Sequence, residues 1–332
     1  MSFTKIAQLG HLNDDDFPAV DLDAGLTITR EGNFLASNLH TDRVLVYDST
    51  GKLLRIVGTS GKGPGEFFGV RQISLIGKDT ILVGDVSRML FFGPTFKHLE
   101  TFALGTPFMR RFLALAGHRF LTLLQTDRNF GPQPMVLGRD GYRRMANKNT
   151  PEPRCPTCNW MLSTTLYDGG GWLVHSNSNS FERWSQMGQL VRTVTFEGSL
   201  WFKPWFNATT KADVPQKPYI AGVGEDASKR MWIFGSYPTP DAKPARTLQK
   251  FKIDDDGNFV IPPGGVAPNA AIQAQWVSVV DVFDPVTGLL YVSHVIPGKV
   301  LRLLTPPYFA QPVQSPDGFD ALIIYRMDIR KR

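Results

Sequence analysis

The two cysteines of the chain stand close together, in Cys155-Pro-Thr-Cys158. Two thiolates at this spacing can supply half of a tetrahedral zinc site, or they can form a redox dithiol or a loop-stapling disulfide. A closed zinc site needs two further ligands, and the sequence has no second CxxC motif and no nearby HxxxH motif. The pair lies in a proline-rich loop, which argues against a thioredoxin-like motif. We expect a local disulfide or free thiols, with a metal or redox role as the alternatives. A disulfide would favour an oxidising compartment.

The other residues that could do chemistry form no recognised catalytic motif. The six histidines lack metal-ligand spacing. Asp254-Asp-Asp-Gly-Asn258 resembles a calcium loop, but it lacks the glutamate that completes an EF-hand, and we interpret it as a hairpin turn. No GxSxG elbow, HExxH motif or P-loop occurs. The sequence therefore assigns no catalytic residue and predicts no firm metal site.

Short strands and glycine-containing turns must position these residues. Residues 25–68 contain four segments of alternating hydrophobicity, at Leu26–Thr29, Asn33–Asn38, Asp42–Asp48 and Lys52–Val57. Such alternation, broken by turns, is typical of an antiparallel meander. The cycle recurs along the chain, and roughly 40 to 50 residues with four strands per repeat is typical of the blades of a β-propeller.

The last repeat supplies three strands, within residues 300–328, and Phe3–Leu9 is an isolated strand that could complete it. This closure would remove the open edges of a linear array. We therefore predict an all-β fold, a single six-bladed β-propeller domain over residues 1–332 that is closed by strand 3–9, with an insertion at 237–275 in the fifth blade. A seventh blade would have to come from that insertion, whose proline- and glycine-rich second half breaks the strand pattern.

Two segments carry a resemblance to a known family. Residues 33–53, NFLASNLHTDRVLVYDSTGKL, and the linker Gly61-Lys-Gly-Pro-Gly-Glu-Phe67 that follows them resemble the NHL repeats of bacterial six-bladed propellers, within the TolB-like superfamily. The resemblance implies the fold but no one function, because propellers host lactonases, lyases, receptors and scaffolds. Lactonases of the gluconolactonase and paraoxonase type hold a divalent cation with acidic residues of inner strands. Leu26–Thr29, the first inner strand here, has none.

The turns between second and third strands would lie together on one rim of the propeller. Arginine recurs near these turns, at Arg43, Arg88, Arg128 and Arg183, where it could bond rim carbonyls and Asp42 or Asp85, or bind a carboxylate or phosphate ligand. His40 and His175 follow second strands. The predicted ligand-binding residues are Asn38, His40, Arg43, Asp85, Arg88, Arg128, His175 and Asn177.

The sequence favours a monomeric, non-catalytic binding module for a small molecule, glycan or protein. The alternative is a lactonase-like hydrolase or a lyase that uses a polar site or a divalent cation, such as Ca²⁺, in the central channel. The net charge of +6 comes from scattered basic residues, so we do not expect nucleic acid as a partner. No 18-residue apolar stretch predicts a membrane span. The N-terminus lacks the pattern of a leader. If a leader has been removed, we expect a periplasmic or secreted protein; otherwise we expect a cytoplasmic protein.

Overall fold

The structure is a computed structural model, and every regular element in its described residues is a β-strand. The described residues are 2–10, 25–38, 42–70, 72–76, 80–86, 88–103, 112–117, 119–124, 133–138, 141–144, 160–163, 170–175, 180–195, 218–240, 252–253, 259–260, 276–297, 302–314 and 320–329. The prediction of an all-β fold with antiparallel sheets is confirmed.

The strands form six four-stranded antiparallel sheets and one two-stranded sheet within these residues. The chain begins with β1 (Ser2–Leu9). Sheet 1 contains β2 (Leu26–Ile28), β3 (Phe34–Asn38), β4 (Arg43–Tyr47) and β5 (Leu53–Val57). Sheet 2 contains β6 (Gln72–Ile76), β7 (Thr80–Gly84), β8 (Arg88–Phe92) and β9 (His98–Ala103). Sheet 3 contains β10 (Phe112–Leu115), β11 (Arg119–Leu124), β12 (Gln133–Gly138) and β13 (Gly141–Arg144).

The second half of the chain continues the same pattern. Sheet 4 contains β14 (Trp160–Ser163), β15 (Gly171–His175), β16 (Ser180–Trp184) and β17 (Leu190–Thr195). Sheet 5 contains β18 (Tyr219–Glu225) and β19 (Met231–Pro238), and after the small hairpin of β20 (Lys252–Ile253) and β21 (Phe259–Val260) it is completed by β22 (Trp276–Phe283) and β23 (Leu290–Pro297). Sheet 6 contains β24 (Arg302–Leu303), β25 (Tyr308–Gln314) and β26 (Asp320–Asp328), with β1 as its fourth strand.

Four sheets share the same turn between their third and fourth strands. The third strand ends in a buried aromatic residue, which is Tyr47, Phe92, Trp184 or Phe283, and the strand register shifts there by one residue. A residue with positive φ follows within each of these turns; in the first it is Gly51, at φ 92°. A bulge with a left-handed residue is a standard way to close a short hairpin, and it explains the spacing of aromatic and glycine residues along the sequence.

The core consists of six apolar clusters, each between two sheets. Sheet 1 packs on sheet 2, and the pattern continues through sheets 3, 4 and 5 to sheet 6. The remaining cluster joins sheet 6 to sheet 1, where Leu9 and Leu322 pack near Leu26 and Phe34. Every four-stranded sheet therefore buries both of its faces against neighbouring sheets.

Residues from the two ends of the chain meet in sheet 6. Strand β1 pairs antiparallel with β26, from Ser2 opposite Asp328 to Leu9 opposite Leu322. Within the long connection of sheet 5, β20 and β21 pair around the predicted Asp254–Asn258 turn, although the residues of that turn lie outside the described part of the chain. The connection spans 239–275, slightly less than the predicted 237–275, because β19 extends to Pro238.

Candidate ligand-binding rim

The linker between sheets 1 and 2, residues 58–70, folds back on itself. The Gly61 N–H donates to the Phe67 carbonyl at 2.8 Å, and the Phe67 N–H donates to the Thr59 carbonyl at 2.9 Å. The Glu66 carboxylate accepts from the Gly63 N–H at 2.7 Å. The Phe67 ring is fully buried. Gly58, at φ 86°, leaves no room for a Cβ atom, because that atom would meet the Phe67 ring. The glycines and Glu66 of the GxGPGEF segment therefore hold the conformation of the linker.

Arg88, at the start of β8, fixes this linker from the side of sheet 2. Its guanidinium donates to the carbonyls of Lys62 at 2.5 Å and of Gly61 and Glu66 at 3.2 Å each. It also forms an ion pair with Asp85, whose carboxylate lies 2.6 Å away and is buried. The guanidinium is thus already bonded to protein atoms on several sides.

Asp42 holds the same linker from the side of sheet 1. Its carboxylate accepts from the Gly69 N–H at 2.6 Å and from the Ser60 hydroxyl at 2.9 Å. Asp42 itself adopts a positive φ of 51°, a conformation that Asp tolerates better than most residues. The second-to-third turns of sheets 1 and 2 therefore clamp the linker between them. We call these two turns and the linker the clamped rim.

The clamped rim and the adjoining start of β4 present two basic side chains and one aromatic side chain to solvent. Arg43 and Lys62 are exposed, and Phe68 is 44% exposed. The Lys62 ammonium lies 5.0 Å from the centroid of the Phe68 ring, which is within the range of a cation–π contact. Two cations and an aromatic face are thus presented on a loop whose backbone is already bonded. The sequence did not single out Lys62 or Phe68 as contact residues, because their exposure depends on how the linker folds.

The structure places the eight predicted ligand-binding residues as follows. Arg43 is exposed on the clamped rim, whereas Asp85 and Arg88 bond to each other and Arg88 also bonds to the linker. Asn38 ends β3 and His175 ends β15, so both stand at the ends of second strands, but their side chains lie outside the described part. His40, Arg128 and Asn177 lie outside the described residues altogether. A ligand-binding role for these eight residues stays a prediction.

The fourth arginine of the predicted series lies elsewhere. Arg183 is the fourth residue of β16 and not part of a second-to-third turn, so the expected register is wrong at this position. It is buried beside Trp172, with its guanidinium carbon 5.9 Å from the centroid of that ring, and its Nε lies 3.8 Å from a Glu225 carboxylate oxygen. The Trp172 indole N–H donates to the same oxygen at 3.0 Å, which links sheet 4 to sheet 5.

Two further buried carboxylates accept from indole N–H groups. Glu182 accepts from Trp184 at 3.1 Å, and Asp226 accepts from Trp232 at 2.9 Å. Buried polar groups need such partners, so these acids support the packing of large aromatic side chains. Glu182 and Asp226 therefore each have a structural partner.

No cluster of three or more His, Cys, Asp or Glu side chains suited to a metal ion occurs among the described residues. The Cys155–Cys158 pair lies outside them. In the described part of the chain, no helix is long and apolar enough to span a bilayer.

No family model matches this chain, and no curated protein matches it. Solved structures are similar in fold. A member of the DUF4221 family from Bacteroides vulgatus is 10% identical with a TM-score of 0.68, over 100% of this chain and 99% of that one. A Bacteroides fragilis protein thought to be exported is 14% identical with a TM-score of 0.58, over 98% and 96% of the two chains. Virginiamycin B lyase from Staphylococcus aureus, at 10% identity and a TM-score of 0.46, covers 98% of this chain and 100% of its own.

These neighbours are β-propellers, and this all-β chain has a propeller-like fold. At such low identities the likeness bears on the fold alone. Membership of the NHL-repeat family stays a prediction.

Proposed function

We propose that this chain is a single six-bladed β-propeller over residues 1–332 that binds a ligand at one rim and catalyses no reaction. The six clusters that join each sheet to the next, including sheet 6 to sheet 1, support the blade number. The pairing of β1 with β26 supports closure of the ring by strands from both ends of the chain. Such a closed ring keeps the turns of all blades in fixed positions.

The observation that carries the binding proposal is the exposed Lys62–Phe68 pair on a clamped linker. Because Asp42, Glu66 and Arg88 already fix the backbone there, the backbone of the linker loses little additional freedom when a ligand docks. An exposed aromatic face suits a sugar ring or an apolar side chain, and the neighbouring cation suits an anionic group. The proposed ligand is accordingly a small molecule, a glycan or a protein segment.

Arg43 and the second-to-third connections of other blades extend this rim. In our proposal Asn38, His40, Arg128, His175 and Asn177 contribute further contacts, while Asp85 and Arg88 act through the linker that they hold. A ligand on this rim could touch several blades at once, since these connections share one edge of the ring.

A thermal-shift screen of lactones, sugars, nucleotides and peptides tests the proposal. A compound that raises the melting temperature of the wild type should lose its effect in the variant Lys62→Ala/Phe68→Ala. The matched control is Lys52→Ala/Leu54→Ala, which removes an exposed lysine and an exposed apolar side chain of sheet 1 outside the clamped rim. The control should keep the full shift. A hit whose shift survives in the rim variant would contradict the proposed site.

Metal analysis of the same protein tests the alternative predicted from the sequence, a lactonase-like hydrolase or a lyase. One divalent cation per chain that remains after dialysis would favour that enzyme, because a cation is retained only where protein side chains ligate it. A melting shift in protein without metal supports the binding module. The compartment of the protein stays a prediction.

A further inference from the structure

In each four-stranded sheet we call one of the two edge strands the outer strand: β5, β9, β13, β17 and β23 in sheets 1 to 5, and β1 in sheet 6. One edge of each outer strand pairs with no other strand in the described part of the chain. Natural proteins protect such edges with charged residues, which resist pairing with another chain. Five of the six outer strands carry at least one: Lys5 in β1, Arg55 in β5, Glu100 in β9, Arg143 and Arg144 in β13, and Arg192 in β17. The exception is β23, whose eight residues include no Lys, Arg, Asp or Glu.

The β23 edge is also flanked by exposed apolar side chains. Tyr291 is 46% exposed and Val295 is 51% exposed, and they alternate with the exposed Ser293. The side chains between them turn toward sheet 6, where the His294 ring lies 6.0 Å from that of Phe3. The preceding turn adds Val286, at 76% exposure. An uncharged edge with an apolar outer face lacks the charges that protect the other outer strands, and its one proline, Pro297, stands at the last position of the strand.

We propose that β23 pairs with β23 of a second copy of this chain, antiparallel about a twofold axis through Ser293. In this register Tyr291 of each copy lies opposite Val295 of the other, and an aromatic residue opposite a β-branched one is a favourable cross-strand pair. The two four-stranded sheets would then form one continuous sheet of eight strands. An isologous contact of this kind closes on itself and gives a dimer rather than a fibre.

Charge favours a second copy at this strand over the other outer strands. Twofold antiparallel pairing places a residue at the axis directly opposite its own symmetry mate, so a contact centred on Lys5, Arg55, Glu100 or Arg192 would bring like charges together, whereas a contact centred on Ser293 brings none. With a net charge of +6, two copies also repel at long range, and an uncharged contact segment adds nothing to that repulsion. We predicted a monomer from the sequence; the uncharged, exposed β23 edge argues for a dimer instead.

Sedimentation velocity of the full chain from about 1 to 100 µM tests the proposal, because dimer formation depends on concentration. The wild type should shift from monomer to dimer within this range. Val295→Lys should weaken the dimer at least about tenfold, since at both symmetry-related positions it replaces the β-branched partner of Tyr291 with a charged side chain. Val191→Lys is the matched control: Val191 is 59% exposed on β17, also an outer strand, and this variant should dimerise as the wild type does.

Hydrogen exchange provides a readout that does not depend on a substitution. Among residues 290–296, the amides that point away from β22 should exchange more slowly at the high concentration than at the low one, while those of β17 should not change. A Ser293→Lys variant covers the case in which Val295→Lys fails to fold, since Ser293 is exposed and its substitution also adds charge at the axis. A wild type that stays monomeric throughout, or a Val191→Lys variant that dissociates as readily as Val295→Lys, would overturn the proposal.

Discussion

Tyr47→Phe should leave this protein as stable as the wild type or make it more stable. Tyr47 ends β4 within the apolar cluster between sheets 1 and 6, and its side chain is fully buried. Its hydroxyl has no hydrogen-bond partner among the described residues. An unsatisfied buried polar group costs about 1 to 3 kcal/mol, so its removal should raise the free energy of unfolding by about 1 kcal/mol or more at pH 7.

The same hydroxyl predicts a loss of stability at alkaline pH. Burial raises the pKa of Tyr47 above its ordinary value of 10.0. The folded protein therefore keeps the neutral hydroxyl at a pH at which the unfolded chain ionises. The part of the stability that depends on the neutral form is fully present below the unfolded pKa of Tyr47, and it is lost as the pH rises toward the folded pKa. Tyr47→Phe removes this contribution, so its stability should fall less steeply than that of the wild type above about pH 10.

Urea unfolding of both proteins between about pH 7 and 11 measures both effects. Tyr291→Phe is the control, because Tyr291 is exposed and its hydroxyl lies 3.4 Å from Asp284; it should change stability by less than about 0.5 kcal/mol. A Tyr47→Phe variant that is destabilised by more than about 1 kcal/mol would refute the reasoning, since that result requires a hydrogen-bond partner for the hydroxyl. So would an alkaline profile equal to that of the wild type.

Three further predictions concern named bonds. Arg88→Ala should lower the free energy of unfolding by about 3 kcal/mol, because it removes the guanidinium from the buried Asp85 carboxylate and from the linker carbonyls that it holds. Its control is Arg326→Ala, which breaks a largely exposed ion pair and should cost less than about 0.5 kcal/mol. Gln72→Leu should cost about 2 kcal/mol, because the Gln72 amide bonds both the N–H and the carbonyl of Phe112 across sheets 2 and 3. Hydrogen bonds from Thr50 and the Lys52 amide lower the pKa of Asp48, so Asp48→Ala should make stability less sensitive to acid below about pH 4.

Chemical denaturation at pH 7 measures the first two effects, and a series of unfolding curves from about pH 2 to 7 measures the third. The sign for Asp48 follows from its lowered pKa: its stabilising effect is present above the unfolded pKa and disappears as the pH falls through the folded pKa. Equal losses in Arg88→Ala and Arg326→Ala would contradict the clamp on the linker. An unchanged stability of Gln72→Leu would contradict the bridge between sheets 2 and 3.

The strands could be predicted from the sequence because their patterns are local. The apolar run along Arg43–Tyr47 and the glycine turn at Gly51 depend on local backbone geometry, and the structure forms there the bulged turn and a strand that is buried on both faces. The same local rules applied to Met231–Pro238 and Trp276–Phe283, which pair although about 40 residues separate them. No local pattern indicates that strands on the two sides of that gap pair with each other. The sequence predicts this pairing only because each repeat is expected to have four strands.

The candidate site could be predicted only in part, because its contacts are made between residues far apart in the sequence. The recurrence of arginine suggested one shared role, yet Arg88 binds linker carbonyls while Arg183 packs on Trp172. The exposure of Phe68 depends on the fold of the linker, and that of Val295 depends on which strand ends sheet 5. No residue pattern within a short window carries this information.

Hydrogen exchange at Ser2–Leu9 tests the closed six-bladed ring most directly. If β1 is the fourth strand of sheet 6, those of its amides that face β26 should be protected to nearly the same extent as the amides of β26, with which it pairs along its length. Deletion of residues 1–10 should then strip that protection from β26 and lower the stability of the whole domain. Rapid exchange at Ser2–Leu9 in a protein whose other strands remain protected would contradict the closure of the ring.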